Sequence, residues 1–405
     1  NGGGTSVVTV SGDNASTGDY STISGGYNNT AEGNASFVGG GNNNRAYCVN
    51  AAVVGGVNNI ACANRAFIGG GRSNSASGRY STISGGYNNS ASGYITTISG
   101  GYNNCADYYY STVGGGCYNY AVGYGSTVSG GCYNTASAYF GASTVAGGSS
   151  NTASGYYGSV VSGGYGNCAV GVYATIGGGY NNCITGDCST VGGGYNNCAS
   201  GNRSTVSGGY CNCATWYGST VSGGFCNESS SYKSTVGGGA LNCASGSNST
   251  VGGGELNCAI GDHATVAGGW CNCATEWSST VAGGCGNISN GRNSVVAGGH
   301  NNCIVNSRSF IGGGEYNCVL TDSSIVVGGY NNTVCGGNQL TTIVGGQYNI
   351  ATGMNSFIGS GAHNTVSGYY SSILGGQYNT LNGCNSFALG SYITSDANDT
   401  TFVNN

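Results

Sequence analysis

The chain has 405 residues, of which 84 are Gly, 31 Tyr and 21 Cys, with no Pro and only 5% charged residues. Eight Lys plus Arg against 13 Asp plus Glu give a net charge of −5. So few cations cannot track a phosphate backbone, which argues against a nucleic-acid partner. No apolar run is long enough to span a membrane as a helix. Asn1 is not an initiator, so the expectation is a processed or excerpted chain whose export and anchoring parts lie elsewhere.

One apolar position recurs every fifteen residues: Val8, Ile23, Val38, Val53, Ile68, Ile83, Ile98, Val113 and Val128. Val145 and Val161 follow after steps of seventeen and sixteen, and the fifteen-residue step then runs from Ile176 to Val326. A further seventeen-residue step leads to Ile343, Ile358, Ile373 and Ala388. A fixed short period marks a repeat architecture. Fifteen residues are too few for a globular unit but suffice for one coil with two short strands. Ordering them costs about 1–2 kcal/mol each, against roughly 1.5–3 kcal/mol for one buried Val, so a lone coil fails and coils must stack. The residue types agree, because the recurring Thr-Val and Thr-Ile pairs are β-branched and no apolar pattern runs at helical spacing. The fold predicted is all-β, a parallel β-solenoid of about 26 coils over 1–390, with 391–405 as an exit segment toward a further element.

In chain order, residues 1–20 form an irregular first coil. From Ser21 to Tyr80 the coils carry bulky outward residues such as Phe37 and Phe67. The excess near Tyr139-Phe140-Gly141-Ala142 is expected to bulge at a corner, 189–284 is the most regular section, and a second excess lies near Cys335-Gly336-Gly337-Asn338-Gln339. In nearly every coil a Gly pair follows the apolar mark, and Asn stands six residues past it, as in Asn29, Asn182, Asn197, Asn212 and Asn242. Asn bonds turn backbone and tolerates the left-handed region, so stacked Asn side chains are predicted to form a ladder that satisfies one corner. A small apolar residue two positions further on, such as Ala31 or Ala199, faces inward from the second strand.

Many Cys fall in one column, seven past the mark. Stacked neighbours at strand spacing, about 4.8 Å, lie within disulfide range. Cys168/Cys183, Cys198/Cys213, Cys243/Cys258 and Cys303/Cys318 are therefore candidate staples between coils, as are Cys117/Cys132 and Cys211/Cys226 in other columns. Cys serving only as a small strand residue is the alternative. The total points to an oxidising compartment. No metal or cofactor site is expected, because no His or CxxC clustering accompanies the Cys.

None of the charged residues falls within the six positions from two before the mark to three after it. One strand face is thus neutral throughout, its outward residues being Ser, Ala and Thr, with Phe310, Ile325, Phe357 and Phe387 among them. Such a stripe suggests a partner interface; a solvated Thr/Ser face is the other reading. Tyr87, Tyr102, Tyr180, Tyr195, Tyr210 and Trp270 share a corner column and either offer contact surface or brace the corner by stacking.

The unit Ser-Thr-Ile-Ser-Gly-Gly-Tyr-Asn-Asn-Thr-Ala at 21–31, with Asn385-Ser386-Phe387-Ala388-Leu389-Gly390, resembles the head repeat of trimeric autotransporter adhesins, and similar repeats occur in phage and viral fibre proteins. The resemblance implies a left-handed parallel β-roll, three chains packed side by side, and display outside the cell or on a virion for attachment. The doubled Gly, the fifteen-residue step and the many Cys depart from that pattern.

The expected function is therefore a non-catalytic extracellular fibre or adhesin shaft that associates with itself, with a cell-surface molecule or glycan as a further ligand. The alternative is an ice-binding solenoid, because Thr175, Thr190, Thr205, Thr220, Thr235, Thr250, Thr265 and Thr280 form a Thr file and the Thr-Val-Ser-Gly pattern resembles plant ice-binding β-rolls. There is no second Thr file two residues on, and Phe interrupts the first. Enzymatic activity is not expected: the only local carboxylate–imidazole pairs, His300/Glu315 and Asp262/His263, read as surface contacts.

Overall fold

The computed structural model of the chain describes residues 6–8, 13–336 and 340–404. The opening residues 1–5, much of the first coil at 9–12, and Gly337-Asn338-Gln339 of the second excess lie outside the described residues. The chain divides into two compact units, Asn1–Arg203 and Ser204–Asn405. Each is a parallel β-solenoid, and together they carry about 26 coils of about fifteen residues. No helix occurs among the described residues.

A coil contains two two-residue strands, for example Thr82–Ile83 and Ser90–Ala91 in the first unit, or Thr250–Val251 and Cys258–Ala259 in the second. Successive coils pair in parallel and in register, Thr82 with Thr97 and Ile83 with Ile98, or Thr250 with Thr265 and Val251 with Val266. All pairs are parallel because every lap runs the same way round. A third bridge per coil joins corner residues such as Tyr87 and Tyr102. The irregular steps leave the ladders intact: Thr127 pairs with Thr144 across the seventeen-residue step, and Thr144 with Val160 across the sixteen. The added residues sit between strands, where no ladder bond must be broken to admit them.

The segment after Gly390, read above as an exit, also pairs in parallel. Thr394–Ser395 lies against Thr380–Leu381, and Thr401–Val403 against Phe387–Leu389.

Alternation within each strand puts Thr outward and Val or Ile inward, where the aliphatic column from Ile23 to Ile373 is fully buried. Ala of the second strand is buried opposite it. Two polar columns join them: the ladder Asn and the Ser two before the mark, such as Ser189 and Ser279, are equally inaccessible. The core is thus half polar, and most of that half is hydrogen-bonded, the Oγ atoms of Ser36, Ser81, Ser249 and Ser356 being buried without a partner among the described residues.

Three positive-φ positions close a typical coil. One lies three before the mark, as at Tyr80 (φ 61°), and one five after it, as at Asn88 (φ 56°), with Gly86 (φ 95°) between strand and corner. The left-handed residue is therefore the one before the ladder Asn, not the ladder Asn itself. That Asn must stay extended so its side chain turns inward. Gly86 cannot be replaced, since a Cβ there would lie 2.3 Å from the carbonyl oxygen of Gly101 in the next coil. Gly85, its partner in the pair, has open space at the same distance range.

Candidate functional site

The Asn column is a backbone-satisfying device. Asn257 Nδ2 donates to the carbonyl of Gly253 in its own coil and to that of Gly269 in the next, both at 2.9 Å. Its Oδ1 accepts from the amide of Asn272 at 3.0 Å, and its own amide donates to Asn242 Oδ1 at 3.0 Å. Both amide hydrogens and the carbonyl are used, so the buried group is paired. The same pattern holds at Asn29, Asn182 and Asn242. Asn197 and Asn212 make the equivalent bond to Gly193 and Gly208, each at 2.8 Å. Every rung is occupied inside the coil stack, which leaves no side-chain capacity for a ligand.

The aromatic corner column stacks. Tyr87 and Tyr102 lie 5.4 Å apart at 4°, Tyr180 and Tyr195 4.9 Å apart at 3°, and Tyr210 and Phe225 5.2 Å apart at 11°. Offset parallel rings at this spacing stabilise neighbouring coils by roughly 0.5–1.5 kcal/mol per pair. Their outer edges stay exposed, as does Trp270, which is bridged through its backbone to Glu255 and Cys285. Where rings stack, their faces are hidden and only edges are left for a partner; Trp270 stands between Glu255 and Cys285.

Among the cysteines, Cys117 and Cys132 form a disulfide, with Cα atoms 4.6 Å apart. Cys168/Cys183, Cys243/Cys258 and Cys303/Cys318 are in direct register on the outward side of the second strands, and Cys211 and Cys226 neighbour each other at a left-handed corner. Cys198 belongs to the first unit and Cys213 to the second. Cys168 and Cys303 are each pulled down to about 7 by a hydrogen bond from the partner thiol, against the opposing effect of burial, while Cys183 and Cys318 are pushed up. Cys258 is likewise drawn to about 7, but by Cys273. Cys258 therefore has two in-register neighbours, Cys243 and Cys273, a competition that a pairwise reading of the sequence overlooks.

The outward face of the first strands is free of charge in both units. In the second unit it is also apolar in two files. One holds Phe310, Ile325, Phe357 and Phe387; the other holds Val327, Val344, Leu374 and Leu389, with Val327 at 47% and Leu374 at 45% exposure. The second file was not singled out in the sequence, although it follows from the alternation of a strand whose inward residue is the mark. Two of the four bulky residues of the first file stand beside Gly, a Cβ at Gly312 sitting 3.2 Å from Phe310 Cε1 and one at Gly359 3.4 Å from Phe357 Cε1, whereas Ile325 and Phe387 stand beside Val327 and Leu389. At Phe310 and Phe357 the ring lies across the glycine and keeps the face level.

No converging acid–base constellation accompanies these features. His300 Nδ1 and Glu315 Oε1 are 3.0 Å apart with both side chains nearly half exposed, a surface pair. His263 packs edge-on against Trp277 at 6.0 Å. No group of His, Cys, Asp and Glu among the described residues could hold a metal ion, and no described helix is long and apolar enough to cross a membrane.

Residues 81–93 match a family model described as ubiquitous surface protein adhesin repeat. The match covers one coil, from buried Ser81 through Thr82–Ile83 and the Gly pair to the ladder Asn89 and Gly93. It supports a relationship to adhesin repeats, and the solenoid fold is consistent with that relationship. No curated protein matches the chain.

Proposed function

We propose that the chain is an extracellular structural segment of a fibre or adhesin shaft, assembled from copies packed side by side through the neutral face. The observation that carries this reading is the charge-free face of the first strands, which in the second unit presents Ile325, Val327, Val344, Leu374 and Leu389 to solvent. Soluble monomers rarely expose contiguous apolar patches of that extent. Covering each half-exposed side chain is worth roughly 1 kcal/mol, and a symmetric assembly collects that gain from every copy. The adhesin-repeat match and the abundance of Cys fit a surface location, and three copies is the number that the resemblance to autotransporter heads implies.

The test is sedimentation velocity of the purified chain with and without reductant. A mass of about three chains is expected, falling to one chain in a Val327→Lys/Leu374→Lys variant, since each buried Lys without a partner costs several kcal/mol. A wild-type chain that remains monomeric at micromolar concentration refutes the proposal.

A further inference from the structure

The stretch between Asp107 and Asp187 contains no Asp, Glu, Lys, Arg or His. Within it lies the insertion of the seventeen-residue step, and what that insertion adds is aromatic. Tyr139 and Phe140 stand at the corner after Thr135–Ala136, 62% and 61% exposed. Neighbouring coils bring Tyr108, Tyr109 and Tyr124 to one side and Tyr156, Tyr157 and Tyr173 to the other, all exposed. Closure of the corner does not require them; in the more regular coils it closes with Gly, as at Gly186 and Gly246.

Within a coil, adjacent rings of this cluster meet at steep angles, which the stacked column at the opposite corner, with one ring per coil, does not offer. Tyr139 meets Phe140 at 88° with centroids 4.7 Å apart, Tyr156 meets Tyr157 at 86° and 5.0 Å, and Tyr108 meets Tyr109 at 69° and 5.4 Å. A parallel ladder spends its ring faces on its own neighbours. A splayed cluster leaves faces open in two directions, one as floor and one as wall. Tyr108, Tyr109, Tyr124, Tyr139 and Phe140 line a cleft of about 280 Å³ in this way. On the far side Tyr157 and Tyr173 edge a second cleft of about 300 Å³ with Ser159 and Thr175. Along the stack, Tyr139–Tyr156 and Phe140–Tyr157 lie near-parallel, at 5.5 Å and 14° and at 6.3 Å and 25°, as do Tyr157 and Tyr173 at 6.1 Å and 15°, so on that side ring faces are shared between coils and the splayed rings lining the first cleft carry the open surface.

We propose that this corner is a binding platform for a neutral carbohydrate chain. A pyranose ring offers an apolar C–H face to stack on an aromatic face and equatorial hydroxyls to bond to Tyr hydroxyl groups at the rim. Tyr supplies rigid contact area with a polar tip at little entropic cost. The absence of any cation from the surrounding stretch argues against sulfated or uronic-acid sugars, and the absence of carboxylates removes the usual help for a bound cation. An extended platform suits a chain of several sugar units. The site gives the attachment reading above a ligand class, and rests on that reading only for its biological setting.

The experiment is isothermal titration of the full chain with a panel of neutral hexasaccharides: cello-, chito-, manno-, xylo- and maltohexaose. At least one is expected to bind with a Kd between about 10 μM and 1 mM and to keep that affinity in high salt. Tyr139→Ser/Phe140→Ser is expected to weaken it about tenfold or more, while Tyr87→Ser in the parallel ladder changes it less than about twofold. Tyr157→Ser, with a wild-type circular dichroism spectrum as the check, serves if the double variant misfolds. No binding by any hexasaccharide at about 10 mM, binding untouched by these substitutions, or preference for choline or an acidic oligosaccharide would overturn the proposal. Titration reports on the corner whatever the assembly state, so its failure and a failure of self-association are separate results.

Discussion

Removing one rung of the Asn ladder tests the physical basis of the coil stack. In Asn257→Ala three side-chain hydrogen bonds disappear, two donated to the Gly253 and Gly269 carbonyls and one accepted from the buried Asn272 amide. Their consequences differ. The carbonyl of Gly269 keeps a second partner, the amide of Glu255 at 3.0 Å. Among the described residues, the Asn272 amide and the Gly253 carbonyl have only the Asn257 side chain as a hydrogen-bond partner. The orphaned Asn272 amide is buried and costs about 1–3 kcal/mol, whereas the half-buried Gly253 carbonyl can turn to water. A long repeat array need not unfold in one step, so amide hydrogen exchange is the appropriate assay. Protection at Asn272 should fall by at least about fivefold, at tenfold per 1.4 kcal/mol, with smaller effects two coils away. Asn257→Asp should be worse, because it keeps the acceptor but places a carboxylate oxygen against two carbonyls. Thr265→Ala on the outward face should change stability by less than about 0.5 kcal/mol. Unchanged exchange at Asn272 in Asn257→Ala would mean that the ladder decorates the corner rather than holds it.

Other consequences are direct. Gly284→Ala should destabilise the second unit by about 3 kcal/mol or more, because the residue sits at φ 88° and a Cβ would meet the Gly299 oxygen at 2.2 Å, whereas Gly283→Ala, with open space, should melt like wild type. Cys117→Ser/Cys132→Ser should lower the unfolding free energy of the first unit, read by denaturant titration, by up to about 3 kcal/mol for a fifteen-residue loop. Thiol alkylation at Cys303 should rise with pH through about 7, as the thiolate held by the Cys318 thiol forms, while Cys105, pushed up to about 11 by burial and Asp107, should remain slow across that range. The purified chain should show no thermal hysteresis, since the Thr250, Thr265 and Thr280 file has Gly252, Ala267 and Ala282 beside it rather than a second Thr file; measurable hysteresis would revive the ice-binding reading.

Much of the coil was legible because it is written one residue at a time and repeated. The Val/Ile mark, the second Gly of each pair and the Asn column each have a single physical job, and each recurs in phase, so the register of Ile83 on Ile98 or Val251 on Val266 can be read without coordinates. Less visible was the inward turn of Ser189 and Ser279, since Ser two before the mark looks like any polar residue until the corner carries it inside. The left-handed residues were harder still. Arg203, Cys271 and Leu256 adopt the same φ near 57° as Asn88, and nothing in their chemistry announces it; the backbone of the stack imposes it.

Sequence alone therefore determined the period, the two-strand coil, the aliphatic and Asn columns and the absence of charge from one face, because each is a property of residue type at a fixed interval. Tertiary structure decided what neighbouring copies of a column do to one another. Cys117 and Cys132 are bonded while Cys258 stands between two candidate partners, and Tyr180 stacks on Tyr195 while Tyr94 tilts at 48° against Tyr109 and, within one coil, Tyr139 meets Phe140 edge-on. Those outcomes depend on side-chain direction and on a two-residue bulge at one corner, and a period carries no information about either.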